Sequence, residues 1–168
     1  MFDKTMKTWQ LASLKEKLVY PARTTIAAVL ALCAARLLSL PEVYWAPISA
    51  LVVVQSDFGS SLAISWQRLA GTAVGSFAGA LLAANFGRSL LVYGLGVFGI
   101  GLLSLVLRLQ RPGNRFATIA FSVVLLVVRA QPAWVVGLHR FIEVSVGILA
   151  GLLLSALWPE PQPNTVKN

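Results

Sequence analysis

Six long stretches of this 168-residue chain contain no Asp, Glu, Lys or Arg: 24–35, 43–56, 69–87, 89–107, 116–128 and 144–159. Runs of that length approach the ~20 apolar residues that a helix needs to cross a bilayer. With lysines and arginines allowed to snorkel at the ends, the pattern predicts six spans at 22–40, 43–58, 67–86, 89–107, 115–131 and 138–158. The second and fifth are short: 16 and 17 residues reach only about 24–26 Å at ~1.5 Å per residue. Composition agrees. Hydrophobic residues make up 57% and charged residues 12%, where a soluble domain carries about 25% charged residues. That leaves too little polar surface to cover a water-facing globule.

The net charge of +8 is scattered singly between apolar runs, so it is not a nucleic-acid footprint. Counted near the span ends, ten Lys and Arg fall on one side and four (Arg36, Arg88, Arg129, Arg140) on the other. The richer side is cytoplasmic by the positive-inside rule, which puts both termini in the cytoplasm. Residues 1–19 carry Phe2, Met6, Trp9, Leu14 and Leu18 at helical spacing among lysines, as expected of an amphipathic helix on an anionic leaflet. A signal peptide is the competing reading, but its charged leader would be long and Arg36 runs on into further apolar sequence. The Pro-rich tail 159–168 is expected to be disordered.

At an offset of 72, residues 68–86 match 140–158 at eight identities in 19, where chance gives roughly two in so Leu- and Ala-rich a composition. The same offset pairs the two short spans. Units 20–86 and 92–158 then hold three spans each, and an odd number forces the second to insert upside down. The expected architecture of 20–158 is therefore an all-α membrane protein, six transmembrane helices as two inverted three-helix repeats, a plan used by transporters. Plain similarity between Gly-rich packing helices is the alternative.

Gly71, Gly75 and Gly79 in the third span, and Gly147 and Gly151 in the sixth, form stripes that let helices approach closely in lipid, within one protomer or across a dimer. Gly94-Leu95-Gly96-Val97-Phe98-Gly99 matches a dinucleotide-binding string literally, but it lies inside an apolar run with no strand before it. No P-loop occurs. One His and six acids, with no cluster on any helix, argue against an enzyme, a metal site or a cofactor. The single Cys33 reads as a buried small hydrophobe.

Arg36, Arg68, Arg108, Arg129 and Arg140 sit at or near span ends. Each could simply snorkel. Together they face only Asp57 and Glu143 at similar depth, and guanidiniums without counter-ions favour an anion, whose carboxylate fits their fork. His139, Arg140 and Glu143 share a helix face, either as a helix-start ion pair or as a protonatable cluster for proton coupling. Asp57, the third candidate for proton coupling, could equally cap a helix or pair with Arg68 or Arg115. Tyr44, Trp45 and Pro47 open the short second span, as an interfacial anchor or as part of an aromatic site, and the repeat places Phe116 opposite Tyr44.

Tyr44-Trp45-Ala46-Pro47-Ile48-Ser49-Ala50, the following Val52-Val53-Val54-Gln55, and Arg68-Leu69-Ala70-Gly71-Thr72-Ala73-Val74-Gly75 resemble the bacterial fusaric-acid-resistance and aromatic-acid-exporter family across about 20–158. Plant aluminium-activated malate transporters look like distant relatives. The resemblance implies a six-helix inner-membrane bundle exporting aromatic carboxylates or related organic anions. Many members carry two such units plus cytoplasmic domains. A homodimer or a partner transporter subunit is therefore the expected completion in the lipid bilayer. Gln55-Ser56 replaces the Gln-Pro often seen there. A passive anion channel and a non-transporting assembly subunit are the rival readings.

Overall fold

The computed structural model describes residues 2–55, 57–127 and 130–158, with backbone alone for 2–17. It contains α1 (Phe2–Leu37), α2 (Trp45–Val53), α3 (Phe58–Asn85), α4 (Leu90–Val106), α5 (Arg111–Leu126) and α6 (Ala133–Leu157), with no strand among the described residues. The all-helical expectation holds. The boundaries move most in the second and third spans, while the fifth runs 111–126 rather than 115–131 and the sixth begins at Ala133 rather than 138. The second expected span shrinks to nine residues, about 14 Å, because the chain turns at Val54. The third begins at Phe58 rather than 67, where Asp57 caps it by accepting from the Ser60 N–H at 2.9 Å. The stretch expected as a separate interfacial helix is the first half of the 36-residue α1, which contains Pro21. The tail 159–168 lies outside the described residues.

Among the described residues two helical stretches are long and apolar enough to cross a membrane, Leu18–Leu37 and Ala133–Leu157, and Leu90–Val106 is apolar but shorter. With 28 residues α3 has the length, but Arg68 and Asn85 bracket its apolar stretch. Six helices are therefore present among the described residues, while length and apolarity alone do not make each a span.

The packing rests on small residues. The face Ala46, Ser49, Ala50, Val53 of α2 is buried against α6, where a side chain at Gly147 would strike the Ala46 carbonyl and one at Gly151 would crowd Ala50 and Val53. On the other side, α5 buries Gly113, Ala117, Ala120, Phe121 and Val124 against α3, with Gly71 and Gly75 against Gly113 and Ala117, and Gly79 against Phe121 and Val124. Between these pairs α3 and α6 pack on each other, Gly137 lying over the Ser76 carbonyl. Outside, α1 packs on α2 and α6, and α4 on α5 and α3. Every helix pair in contact has its counterpart when α1, α2, α3 are exchanged with α4, α5, α6.

Even the ends of α1 and α4 agree. Ser39 (φ 51°) and Arg108 (φ 53°) are left-handed. Leu40 N donates to Ala35 O at 3.0 Å, and Leu109 N to Ser104 O at 2.9 Å. Both helices close in a Schellman motif without glycine.

Candidate functional site between α2, α3, α5 and α6

Starting α3 at Phe58 carries Arg68 ten residues into a helix, about 15 Å from its start, rather than to a span end. Its residue is 6% exposed. One Nη2 donates to Ser49 Oγ at 3.0 Å, an oxygen whose own proton goes to the Trp45 carbonyl. The guanidinium carbon lies 4.8 Å from the centroid of the Phe116 ring, a cation–π distance. Its Nε has no hydrogen-bond partner, and no carboxylate pairs with Arg68 among the described residues.

Arg140, the eighth residue of α6 and 2% exposed, is treated differently. Its Nη2 donates to Glu42 Oε2 at 2.5 Å, and Nη1 lies 3.6 Å from Glu143 Oε2. Trp45 stacks on it, ring centroid 4.0 Å from the guanidinium carbon, and the indole Nε1–H donates to the same Glu42 oxygen at 3.0 Å. Glu143, 1% exposed, accepts the Glu42 backbone N–H at 2.8 Å. Glu42 thus binds α6 through both its side chain and its main chain.

The two arginines line one cavity of about 10 Å³, with Trp45, Thr72, Phe116 and Val144 among its walls. That is room for about one water. Guanidinium forks supply paired donors for a carboxylate, and the two aromatic faces offer stacking surface for a ring. Anything larger than water enters only if the helices part.

Of the residues singled out from sequence, the fold brings together Trp45, Arg68, Arg140 and Glu143. Arg36 and Arg108 lie exposed at the ends of α1 and α4, Tyr44 is exposed, and Pro47 is half-buried on α2. Arg129 lies outside the described residues. His139 is half-buried beside Arg140 but is not part of the cavity wall. Asp57 caps α3, and the Ser60 hydrogen bonds hold its carboxyl below the ordinary 3.8, so it is ionised at neutral pH. Its position is that of a cap rather than a partner of Arg68. The five singled-out glycines are all buried in helix contacts within the chain. Cys33, expected to be buried, is exposed on α1, since Ala27, Ala31 and Ala35 take the inward face.

Glu42 and Ser49 were not legible as site residues. Glu42 sits in the α1–α2 connection, where helical periodicity places nothing, and it, rather than Asp57, joins Glu143 at the depth of Arg140. The charge-free run beginning immediately after it was the available signal. Phe116 stacks on Arg68 as Trp45 stacks on Arg140, so Trp45 rather than Tyr44 is its counterpart. Register thus slips by one: α3 and α6 correspond at 72, α2 and α5 at 71. Ala46, Ala50 and Val53 then match Ala117, Phe121 and Val124 against the equivalent glycines. Among the described residues no three His, Cys, Asp or Glu side chains come together as metal ligands.

The family described as "Fusaric acid resistance protein-like" matches residues 29–154. Among curated proteins the chain is similar to the uncharacterized transporter YdhK of Escherichia coli strain K12, 32% identical over 156 residues, 87% of this chain and 23% of that protein. It is equally similar to YdhK of Salmonella typhimurium, 32% over 157 residues with the same coverage. The chain therefore spans about a quarter of the length of these relatives. No solved structure matches.

Proposed function

The chain belongs to the fusaric acid resistance protein-like family, and from that premise we propose that it is an inner-membrane transporter unit for organic anions, aromatic carboxylates in particular, bound between Arg68 and Arg140. Arg68 carries this reading: a buried guanidinium without a carboxylate partner among the described residues, stacked on Phe116 and facing a cavity. A buried cation without a counter-charge is costly, and an anionic guest would relieve it. In this reading Trp45 and Phe116 flank the guest's ring, while Ser49 and Thr72 offer hydroxyls.

The membrane setting is supported by the inversion of ordinary burial. Leu30, Phe77, Leu91, Phe98, Leu149 and Leu153 point outward while Ser61, Ser65, Arg68, Arg140 and Glu143 are inside. Water would penalise that outer surface, and lipid accepts it. The paired helix contacts and the shared α1 and α4 caps support two inverted units, with α2 and α5 too short to cross a ~30 Å core unaided. Efflux, cytoplasmic termini and a homodimer complete the reading.

The test is benzoate release from proteoliposomes loaded with the purified chain. Arg68→Gln should slow benzoate flux roughly ten- to a hundredfold, the loss of one or two charge-assisted hydrogen bonds, while the protein still inserts. Equal flux in the variant overturns the assignment. The relatives' greater length favours a second reading, in which this unit supplies the membrane path of a larger assembly. Flux appearing only with a co-purified partner would favour it.

A further inference from the structure

We propose that Glu42 is a tethered counter-anion that holds the transport site shut until a carboxylate guest takes its place on Arg140. The idea rests on the anion site proposed above and adds a latch to it. Arg140 is the more buried member of its pair: its side chain is 2% exposed, that of Glu42 11%. Drawing Glu42 away from an empty site would take from Arg140 its hydrogen-bonded carboxylate and leave it Glu143 at 3.6 Å, a loss of buried charge pairing that is unfavourable. A guest carboxylate removes that obstacle, because one carboxylate replaces another and the buried charge count is unchanged. Glu42, the partner nearer the surface, is the one that leaves.

Its release matters because of what it anchors. The Glu42 N–H is held by Glu143 Oε1, and its carboxylate also receives the Trp45 indole proton. Trp45 is the first residue of α2 and walls the cavity. Freeing Glu42 therefore frees the start of α2 from α6 at the point where a 10 Å³ cavity must widen. The preceding turn suits a hinge: Ser39 is left-handed and Pro41 stiffens the approach to Glu42. Among the described residues the α4–α5 connection has no carboxylate in that place. Gln110 N–H is held there by the neutral Gln67 Oε1, so the latch belongs to one half only.

The experiment measures benzoate binding and hydrogen exchange on the full chain in detergent. Glu42→Gln keeps an acceptor for Trp45 but removes the competing charge, so benzoate should bind roughly tenfold more tightly, as when a binding-competent state is freed. In the unaltered protein, saturating benzoate should raise amide exchange across 38–44 and leave 107–110 unchanged. Benzoate that binds the unaltered chain, but no tighter in Glu42→Gln or with no added exchange at 38–44, overturns the latch and leaves the site standing. Benzoate that binds neither protein overturns the anion site and the latch together. Should Glu42→Gln fail to fold, the exchange measurement on the unaltered chain decides.

Discussion

Single residues here are governed by which charges the fold can leave without water. Arg140 is compensated by Glu42 and Glu143, whereas Arg68 has a hydroxyl and a ring. Two arginines 72 positions apart thus have different partners. At the surface, Asp57 shows the ordinary case. The Ser60 hydrogen bonds favour its ionised form, so its folded value lies below its unfolded one. The stability it contributes is present at neutral pH and lost as pH falls through the folded value. Asp57→Ala should therefore lower the thermal midpoint at neutral pH, and the difference from the parent should close below the ordinary 3.8. A difference independent of pH would mean that the carboxylate charge does not contribute.

At the scale of helices, glycine decides how near the backbones come. A Cβ at Gly75 would collide with the Ala117 carbonyl, main chain that cannot turn aside, whereas one at Gly94 meets nothing within 4 Å. Gly75→Leu should cost upward of about 1–3 kcal/mol, the usual range for overpacking. Gly94→Leu should be tolerated. Thermal unfolding in detergent separates them, and equal midpoints would refute the close approach of α3 and α5. The glycine stripes of α3 and α6 were readable by spacing. Their partners were not, because period 3.6 marks a face without saying which helix meets it. The short α2 was visible only as a brief apolar run, and its end at Val53 follows from the turn and from Arg23, which donates to the Gln55 carbonyl at 3.3 Å.

Across the whole molecule, the exchange of α1–α3 with α4–α6 leaves the pattern of contacts unchanged. If the two units are inverted, the ends of α1 and α4 lie on opposite faces of the membrane. Single cysteines placed at Ser39 and Arg108, with Cys33 replaced by Ala, should react with an impermeant maleimide from opposite sides of sealed vesicles. Labelling of both from one side would refute the inversion. The outcome also fixes the sense in which the positive-inside count applies.

By itself the sequence determined the all-helical class, the six apolar runs and the glycine faces. These depend on local composition and periodicity, and each is readable over a window of a few turns. The tertiary structure alone decided that Arg68 and Arg140 meet at one cavity, that Trp45 and Phe116 are counterparts, and that Glu42 reaches across to α6. Residues 42 and 143 are 101 positions apart, and no local signal carries a contact of that separation. It arises because small residues let α2 and α6 approach closely enough for a loop carboxylate to neutralise a guanidinium that would otherwise be buried with only Glu143 beside it.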